Sequence, residues 1–439
     1  MRMGPRLLLM LAALLVPWGA GASVFDQFGF EPRGVAMGGA QVAAGDGHVA
    51  AYFNPSMLAL SKEASVGLGV AWAQPVMDVH TLELADHSRL RLAGTPPDYG
   101  GITLGALFPM GGKVGNRVAL GIGLYAPTNN ILRSEGTDPA LPTWYYYHSS
   151  PDRIILAASL GVRVLDWLFI GGGAQFLGAF IGGFDSRVNL FNQTIETRAL
   201  KNDLAVRVSP LAGFTLDFPA MGLRAGFGYR APIQLDIDFP NTIDIADVGT
   251  IDLQIKGVVH YSPHTFTLGV RYCWGPLTAA AELRYALWSR APDPSIQADL
   301  SVDSDVLAAL GADERFDASS APASPGFSDT LEPHLGVEWY IVPRFAVRLG
   351  YSFRPTPVPL QNGDTNILDG NTHAFGAGLG FNFDDPLEVF TKPVRIDLAY
   401  QLLLVAPERT ALKGGDSSVP SYAYSGHVNN VSAAVRYVF

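Results

Sequence analysis

Charge is what this chain has least of. Charged residues make up 16% of its 439 positions, where a soluble domain carries about 25%. Lys and Arg number 30 against 40 Asp and Glu, for a net charge of -10. That balance excludes a nucleic-acid binder, which needs a basic footprint. There is one cysteine, Cys273, so no internal disulfide and no paired-cysteine zinc site. GxSxG, HExxH and Walker sequences are absent, and the nine histidines are scattered without ligand spacing. The sequence therefore predicts no enzyme, no cofactor and no bound metal. A long uninterrupted apolar run is also missing. The best stretch, Trp167 to Gly183, holds Gly171, Gly172, Gly173, Gly178, Gly182 and Gly183, and its neighbours alternate with period two. What is abundant is glycine, at 48 residues, with a mean hydropathy of +0.18. Disorder needs the opposite composition.

Residues 1–22 read as a secretory signal peptide. Arg2 and Arg6 precede the apolar run Leu7 to Val16, and Ala20-Gly21-Ala22 supplies the small residues of a cleavage site.

The mature chain alternates apolar and small or polar residues. Phe266, Leu268, Val270, Tyr272 and Trp274 share one face, and Thr265, Thr267, Gly269, Arg271 and Cys273 share the other. Phe345, Val347, Leu349, Tyr351 and Phe353 oppose Arg348, Gly350, Ser352 and Arg354. Val394, Ile396, Leu398 and Tyr400 oppose Arg395 and Asp397. Period two marks half-buried strands. The strands are as long as a tilted strand needs to cross a bilayer. Trp72, Trp274, Trp288, Trp339 and Tyr437 sit near strand ends, where an interfacial girdle lies. Only a closed barrel satisfies strand backbones in lipid. The predicted fold is an all-β, 14-stranded antiparallel transmembrane barrel over residues 63–439, in an outer membrane. Counting back from Phe439 with short inner turns and long outer loops gives fourteen only if 251–274 is one strand bent at Ser262-Pro263-His264. Read as two strands, it gives fifteen.

Residues 23–62 do not alternate. They are predicted to form an N-terminal plug; a disordered tail is the alternative. The acidic segment 290–332 lacks the glycine and terminal glutamate of a calcium loop and reads as a solvated outer loop.

The run Arg33-Gly34-Val35-Ala36-Met37-Gly38-Gly39-Ala40, followed by Tyr52-Phe53-Asn54-Pro55-Ser56-Met57-Leu58, resembles the N-terminal signature of the FadL/TodX outer-membrane transporters. Ser56 and Met57 stand where that family usually has Ala-Gly. Late-strand motifs such as Arg348-Leu349-Gly350-Tyr351 are similar too. The resemblance implies a hatch inside the lumen, with Phe25, Phe28, Phe30, Met37, Gly38, Gly39, Asn54 and Pro55 as gating residues. It implies import of hydrophobic molecules, foremost long-chain fatty acids, with aromatic hydrocarbons the other class, caught at outer loops and released sideways through a wall opening at the third strand. Gly121, Gly123 and Pro127 mark that opening, although the two glycines equally suit close packing. Arg163, Arg271, Arg284, Arg348 and Arg395 are candidate lumen cations for a carboxylate; ion pairing, as in Glu282 with Arg284, Glu338 with Arg348 or Arg395 with Asp397, is the other reading. Trp144, Tyr145, Tyr146 and Tyr147 form either a greasy landing site or a girdle. The implied partners are outer-membrane lipid, an apolar ligand, and the barrel-assembly machinery through Phe439. A general porin for polar solutes and an outer-membrane lipid hydrolase remain alternatives.

Overall fold

The computed structural model describes residues 24–82, 89–111, 115, 117–129, 141–147, 153–189, 194–245, 249–293, 297–304, 315–320, 326–363, 365–385, 392–414, 417 and 419–439. The signal peptide expected over 1–22 lies outside them. The strands in chain order are β1 (Ser65–Thr81), β2 (Tyr99–Met110), β3 (Val118–Pro127), β4 (Thr143–Trp144), β5 (Ile155–Arg163), β6 (Leu168–Asn189) and β7 (Thr194–Phe218). Then come β8 (Leu223–Arg230), β9 (Ile233–Ile245), β10 (Gly249–Ser262), β11 (Thr265–Trp274), β12 (Leu277–Ala286), β13 (Gln297–Asp303) and β14 (Arg315–Ser319). The last are β15 (Thr330–Val342), β16 (Phe345–Arg354), β17 (Ile367–Leu368), β18 (Thr372–Phe383), β19 (Val394–Ala411) and β20 (Tyr422–Val438).

Antiparallel pairing runs β1-β2-β3-β5-β6-β7-β8-β11-β12-β15-β16-β18-β19-β20 and returns to β1, a closed ring of 14 strands. The alternation explains it. On β11 the side chains of Phe266, Leu268, Val270, Tyr272 and Trp274 are exposed, and Thr265 and Thr267 are buried. The outward face meets lipid, so its apolar residues are solvated by the bilayer rather than by water.

Four expectations are corrected. The segment 251–274 is two strands, β10 and β11, yet the ring still has fourteen. The reason is a shared break. Arg230 pairs with Thr265 below it and Ile233 with Ser262 above it, so Ala231-Pro232 and Pro263-His264 interrupt one long hairpin at the same level. Proline cannot donate to a ladder. Above the break β9 leaves β7 and runs parallel to the far end of β6, from Phe184↔Asn241 to Val188↔Ile245. Second, the 290–332 segment is not all loop. It carries β13, which pairs with β10, and β14, which pairs with β13. Asp299 there faces Lys256 at 3.1 Å. Third, the described side chains of the cluster at 144–147 are not exposed. Trp144, Tyr146 and Tyr147 are buried, because β4 pairs with β17 and the turn Tyr145–Tyr147 follows it inward. Trp144 packs edge-on to Tyr424, and Tyr146 to Trp288. Trp288 is thereby buried too, not in a girdle. Fourth, β3 is unbroken. It pairs with β2 from Gly101↔Pro127 to Met110↔Val118 and with β5 from Val118↔Val162 to Tyr125↔Ile155, without a register shift.

Candidate functional site

The N-terminal segment folds as short helical turns, Val24–Phe28, Pro32–Ala36, Gly47–Val49, Ala50–Phe53 and Pro55–Leu60. Pro32 and Pro55 suit first-turn positions, where no N–H is needed. Nearly every side chain from Phe25 to Ala59 is buried. The turns touch strands on all sides of the ring: Pro32–Ala36 meets β16, β18, β19 and β20, and Pro55–Leu60 meets β2, β3, β5, β6 and β7. The segment thus lies within the lumen.

Its sequence motifs are contact motifs. Gly38 has φ +63°, and a Cβ there would sit 2.6 Å from Tyr351 N and 2.7 Å from Leu335 O. Facing it, a Cβ on Gly350 would sit 2.0 Å from Gly38 N. Backbone lies directly on backbone here, so only glycine fits. Met37 packs on Ala40, Ala44 and Ala280. Asn54 is fully buried and donates to Val42 O at 2.8 Å and Thr215 Oγ1 at 3.0 Å. Ser56 explains its own departure from the usual alanine: its hydroxyl lies 2.6 Å from Asn54 Oδ1 and 2.7 Å from Thr215 Oγ1. Phe25 lies 4.2 Å from Phe30 and 4.8 Å from Tyr52, ring centre to ring centre, and Phe28 packs on Tyr99 at 5.8 Å. Gly121 and Gly123 face these turns as well. A side chain on them would collide with Leu58 and Phe30, so they serve close packing in a continuous strand.

Charge fastens the segment to the wall. Arg33 holds both oxygens of Glu338 at 2.9 Å. Glu338 also receives Arg348 at 2.6 Å, and Arg348 meets Asp397 at 2.7 Å. Arg395 bridges Asp397 at 2.7 Å and Asp46 at 3.0 Å. Arg436 reaches Glu31 at 2.5 Å and Asp46 at 3.1 Å, and His48 completes the chain to Glu31 at 3.0 Å. Burial pushes the Glu31 carboxyl up, but Arg436 and His48 outweigh it and hold it at about 2. Asp46 is likewise held well below its ordinary range: burial raises it, and Arg436, Arg33 and Arg395 more than reverse this. A second group binds Asp26 to Arg230 at 2.7 Å and to Arg284 at 3.6 Å. Arg284 also meets Glu282 at 3.3 Å, whose other oxygen accepts from the backbone of Gln41 and Val42 at 2.7 and 2.8 Å.

Between the segment and the wall lies a cavity of about 90 Å³. Phe25, Phe30, Phe53, Tyr146, Tyr147, Trp288, Phe353 and Leu403 give it an apolar lining. Its arginines are Arg230, Arg284 and Arg354. The first two hold the carboxylates above, and Arg354 holds both oxygens of Asp369 at 2.8 Å.

Of the candidate cations, Arg284, Arg348 and Arg395 lie in ion pairs. Arg163 and Arg271 are not among the cavity's lining residues; Arg271 sits opposite Arg224, which pairs with Asp217 at 2.9 Å. Sequence reasoning passed over Asp26, Glu31, Arg33, Asp46 and His48. The available signal was their presence as isolated charges in a glycine-rich, otherwise apolar segment. Among the described residues no cluster of His, Cys, Asp or Glu could hold a metal ion.

A family model described as "Outer membrane protein transport protein (OMPP1/FadL/TodX)" matches residues 13–439. The fold is similar to a Pseudomonas aeruginosa FadL homologue, at TM-score 0.58 and 15% identity over 96% of this chain and 99% of that one. It is similar to the P. putida toluene transporter TodX at TM-score 0.57 and 14% identity, over 93% and 98%. In sequence the chain is 25% identical over 212 residues to "Alkane uptake protein A" of Marinobacter nauticus, covering 48% of this chain and 43% of that protein. The match thus spans less than half of the relative's length. The fourteen-stranded ring, its buried N-terminal segment and the match across nearly the whole sequence place the chain in the outer membrane as a member of the OMPP1/FadL/TodX family of transport proteins.

Proposed function

We propose that this protein passes small hydrophobic molecules across the outer membrane through the cavity between residues 24–60 and the wall, with those residues as its plug. The observation that carries this reading is the cavity's chemistry: an aromatic and aliphatic lining in which each arginine is bound to a carboxylate. An apolar molecule entering it leaves water, which is favourable by about 25 cal/mol for each Å² buried. A fatty-acid carboxylate finds no uncommitted arginine among the described lining residues, so the cavity favours uncharged hydrophobic molecules over fatty-acid anions. The names of two similar proteins, an alkane uptake protein and a toluene transporter, point the same way.

Sideways release at β3 has no support in its continuous ladders. The break at Ala231-Pro232 and Pro263-His264 is a better place for release, since Arg230, Ser262, Pro263 and Thr265 beside it line the cavity.

The test is uptake into proteoliposomes loaded with a trapping phase. Radiolabelled toluene and decane enter faster than into protein-free vesicles, and glucose does not. Rapid entry of glucose with no gain for the hydrocarbons would support the polar-porin reading instead.

A further inference from the structure

We infer that residues 141–147 are the outer gate of the cavity, with the rings of Trp144, Tyr146 and Tyr147 as the stop that a hydrophobic molecule displaces when it enters. This rests on the hydrophobic-transport reading above and adds where that transport is controlled.

Position carries the inference. Residues 141–147 belong to the connection between β3 and β5, yet they touch the far side of the ring. From β5 the ring passes β6, β7, β8, β11, β12 and β15 before it reaches β16; from β3 it passes β2, β1, β20, β19 and β18. The guanidinium of Arg354, which ends β16, lies 4.2 Å from the centre of the Tyr146 ring. Tyr146 also meets Trp288, just past the end of β12, and Trp144 meets Tyr424, near the start of β20. β4 pairs with β17, just before β18. Because neighbouring strands are antiparallel, the ends of β3, β12 and β16 and the starts of β5, β18 and β20 share one rim. The segment therefore crosses the lumen at that rim. The plug enters at the other, where β1 begins. Gln27 of the plug donates to Tyr146 O at 2.6 Å, and Tyr146 and Tyr147 line the cavity. Trp144, Tyr146 and Tyr147 are each 2% exposed. The plug is thus the floor of the cavity and the aromatic segment its roof.

The roof is attached differently from the frame beside it. In the frame, Arg354 holds both oxygens of Asp369 at 2.8 Å, and Arg409 donates to Asp369 O at 2.8 Å. Lys413 donates to the carbonyls of Gly363 at 2.6 Å and Thr365 at 3.0 Å. Charged groups thereby tie residues 363–369 to β16 and β19. Residues 141–147 contain no charged residue. They are attached by Thr143 N donating to Asn366 O at 3.0 Å, by the Gln27 bond and by ring contacts. Charge-assisted hydrogen bonds are roughly twice as strong as neutral ones, so the roof gives way before the frame. Ring contacts are also what an apolar molecule can replace. It can cover the faces of Trp288 and Tyr424 that the roof covers, but it offers Asp369 nothing. A ligand shifts an equilibrium by its differential interaction with the two states. A hydrophobic molecule therefore favours the displaced roof and leaves the frame in place.

The test is uptake of radiolabelled toluene by the full chain in proteoliposomes, with the single cysteine removed as Cys273→Ser and rates compared per folded barrel. Thr143→Cys and Ile367→Cys stand at paired positions of β4 and β17. Joined by a disulfide, confirmed by mass spectrometry, they hold the roof down; uptake falls to that of protein-free vesicles, and a reductant restores it. Tyr146→Ala with Tyr147→Ala raises the initial rate roughly tenfold, because entry scales with the open fraction and each lost ring contact enlarges it. Undiminished uptake by the joined protein would overturn the gate. An unchanged or slower rate in the alanine pair would overturn it as well, whether or not the disulfide forms. In both cases faster uptake by the unaltered protein than by protein-free vesicles would leave hydrophobic transport standing. No gain in the unaltered protein would remove both readings.

Discussion

Arg33 and Glu338, 305 positions apart in sequence, meet as a two-pronged pair, Nε to Oε2 and Nη2 to Oε1, both at 2.9 Å. Both are buried. Removing one partner from a buried pair costs up to about 3–5 kcal/mol, and Arg348, which also holds Glu338, offsets part of that. Arg33→Met is therefore expected to lower the thermal midpoint of the folded barrel, read by heat-modifiable mobility, and Glu338→Leu likewise. The double variant recovers much of the loss, since it leaves no lone buried charge. Additive losses in the double variant would show that the pair does not act as a unit.

The second expectation concerns pH. Glu31 sits at about 2 against an ordinary value of 4.5, and Asp46 is lowered too. A lowered carboxyl stabilises the fold fully above its unfolded value, and the contribution fades as pH falls through the folded value. Fastening of the plug by these two groups should stay constant from pH 8 to 5 and weaken between about 4 and 2. Single-channel recordings check this: quiet membranes at neutral pH, with openings appearing below pH 4. Glu31→Gln should bring openings at neutral pH.

The third expectation is steric. Gly350→Ala places a methyl group 2.0 Å from the Gly38 nitrogen, which neither backbone can accommodate. Gly178→Ala, where nothing lies within 4 Å, is the control. The first should lose about 1–3 kcal/mol, as overpacking does, with raised ion conductance. The second should leave both unchanged.

The fourth follows from the plug reading. Deleting Phe25 to Ala51 should give a steady ion conductance in planar bilayers. The same low conductance with and without the segment would show that something else closes the lumen.

The wall was legible in the sequence because its residues face two solvents. Val394, Ile396 and Leu398 against Arg395 and Asp397 need no tertiary knowledge to be read as a strand. The three ion pairs foreseen on the inner face, Glu282 with Arg284, Glu338 with Arg348 and Arg395 with Asp397, occur because residues of one parity share that face. Their extension to Glu31, Arg33 and Asp46 was not legible, since the plug has no period to say which way a charge points. Trp144 to Tyr147 misled for a related reason. Aromatics beside a bilayer girdle and aromatics folded into a lumen have the same composition, and the pairing of β4 with β17, more than two hundred residues apart, decides between them. The tandem break at Pro232 and Pro263 was half visible: the proline in 251–274 signalled a bend, but nothing in the alternation pointed to Pro232 as its counterpart.

The seam of the barrel also joins the two ends of the described chain. β1 and β20 pair from Ser65↔Val438 to Thr81↔Tyr422, and Phe439 N donates to Ala64 O at 2.9 Å. The plug hangs from the first residues of β1. Hydrogen-bonded strands lie about 4.8 Å apart, too close for Tyr52 or Phe53 to pass between them. The segment and the closing strand are thus both tied to β1, one through the chain and the other through its ladder. One strand therefore carries both the closure of the wall and the attachment of what the wall encloses.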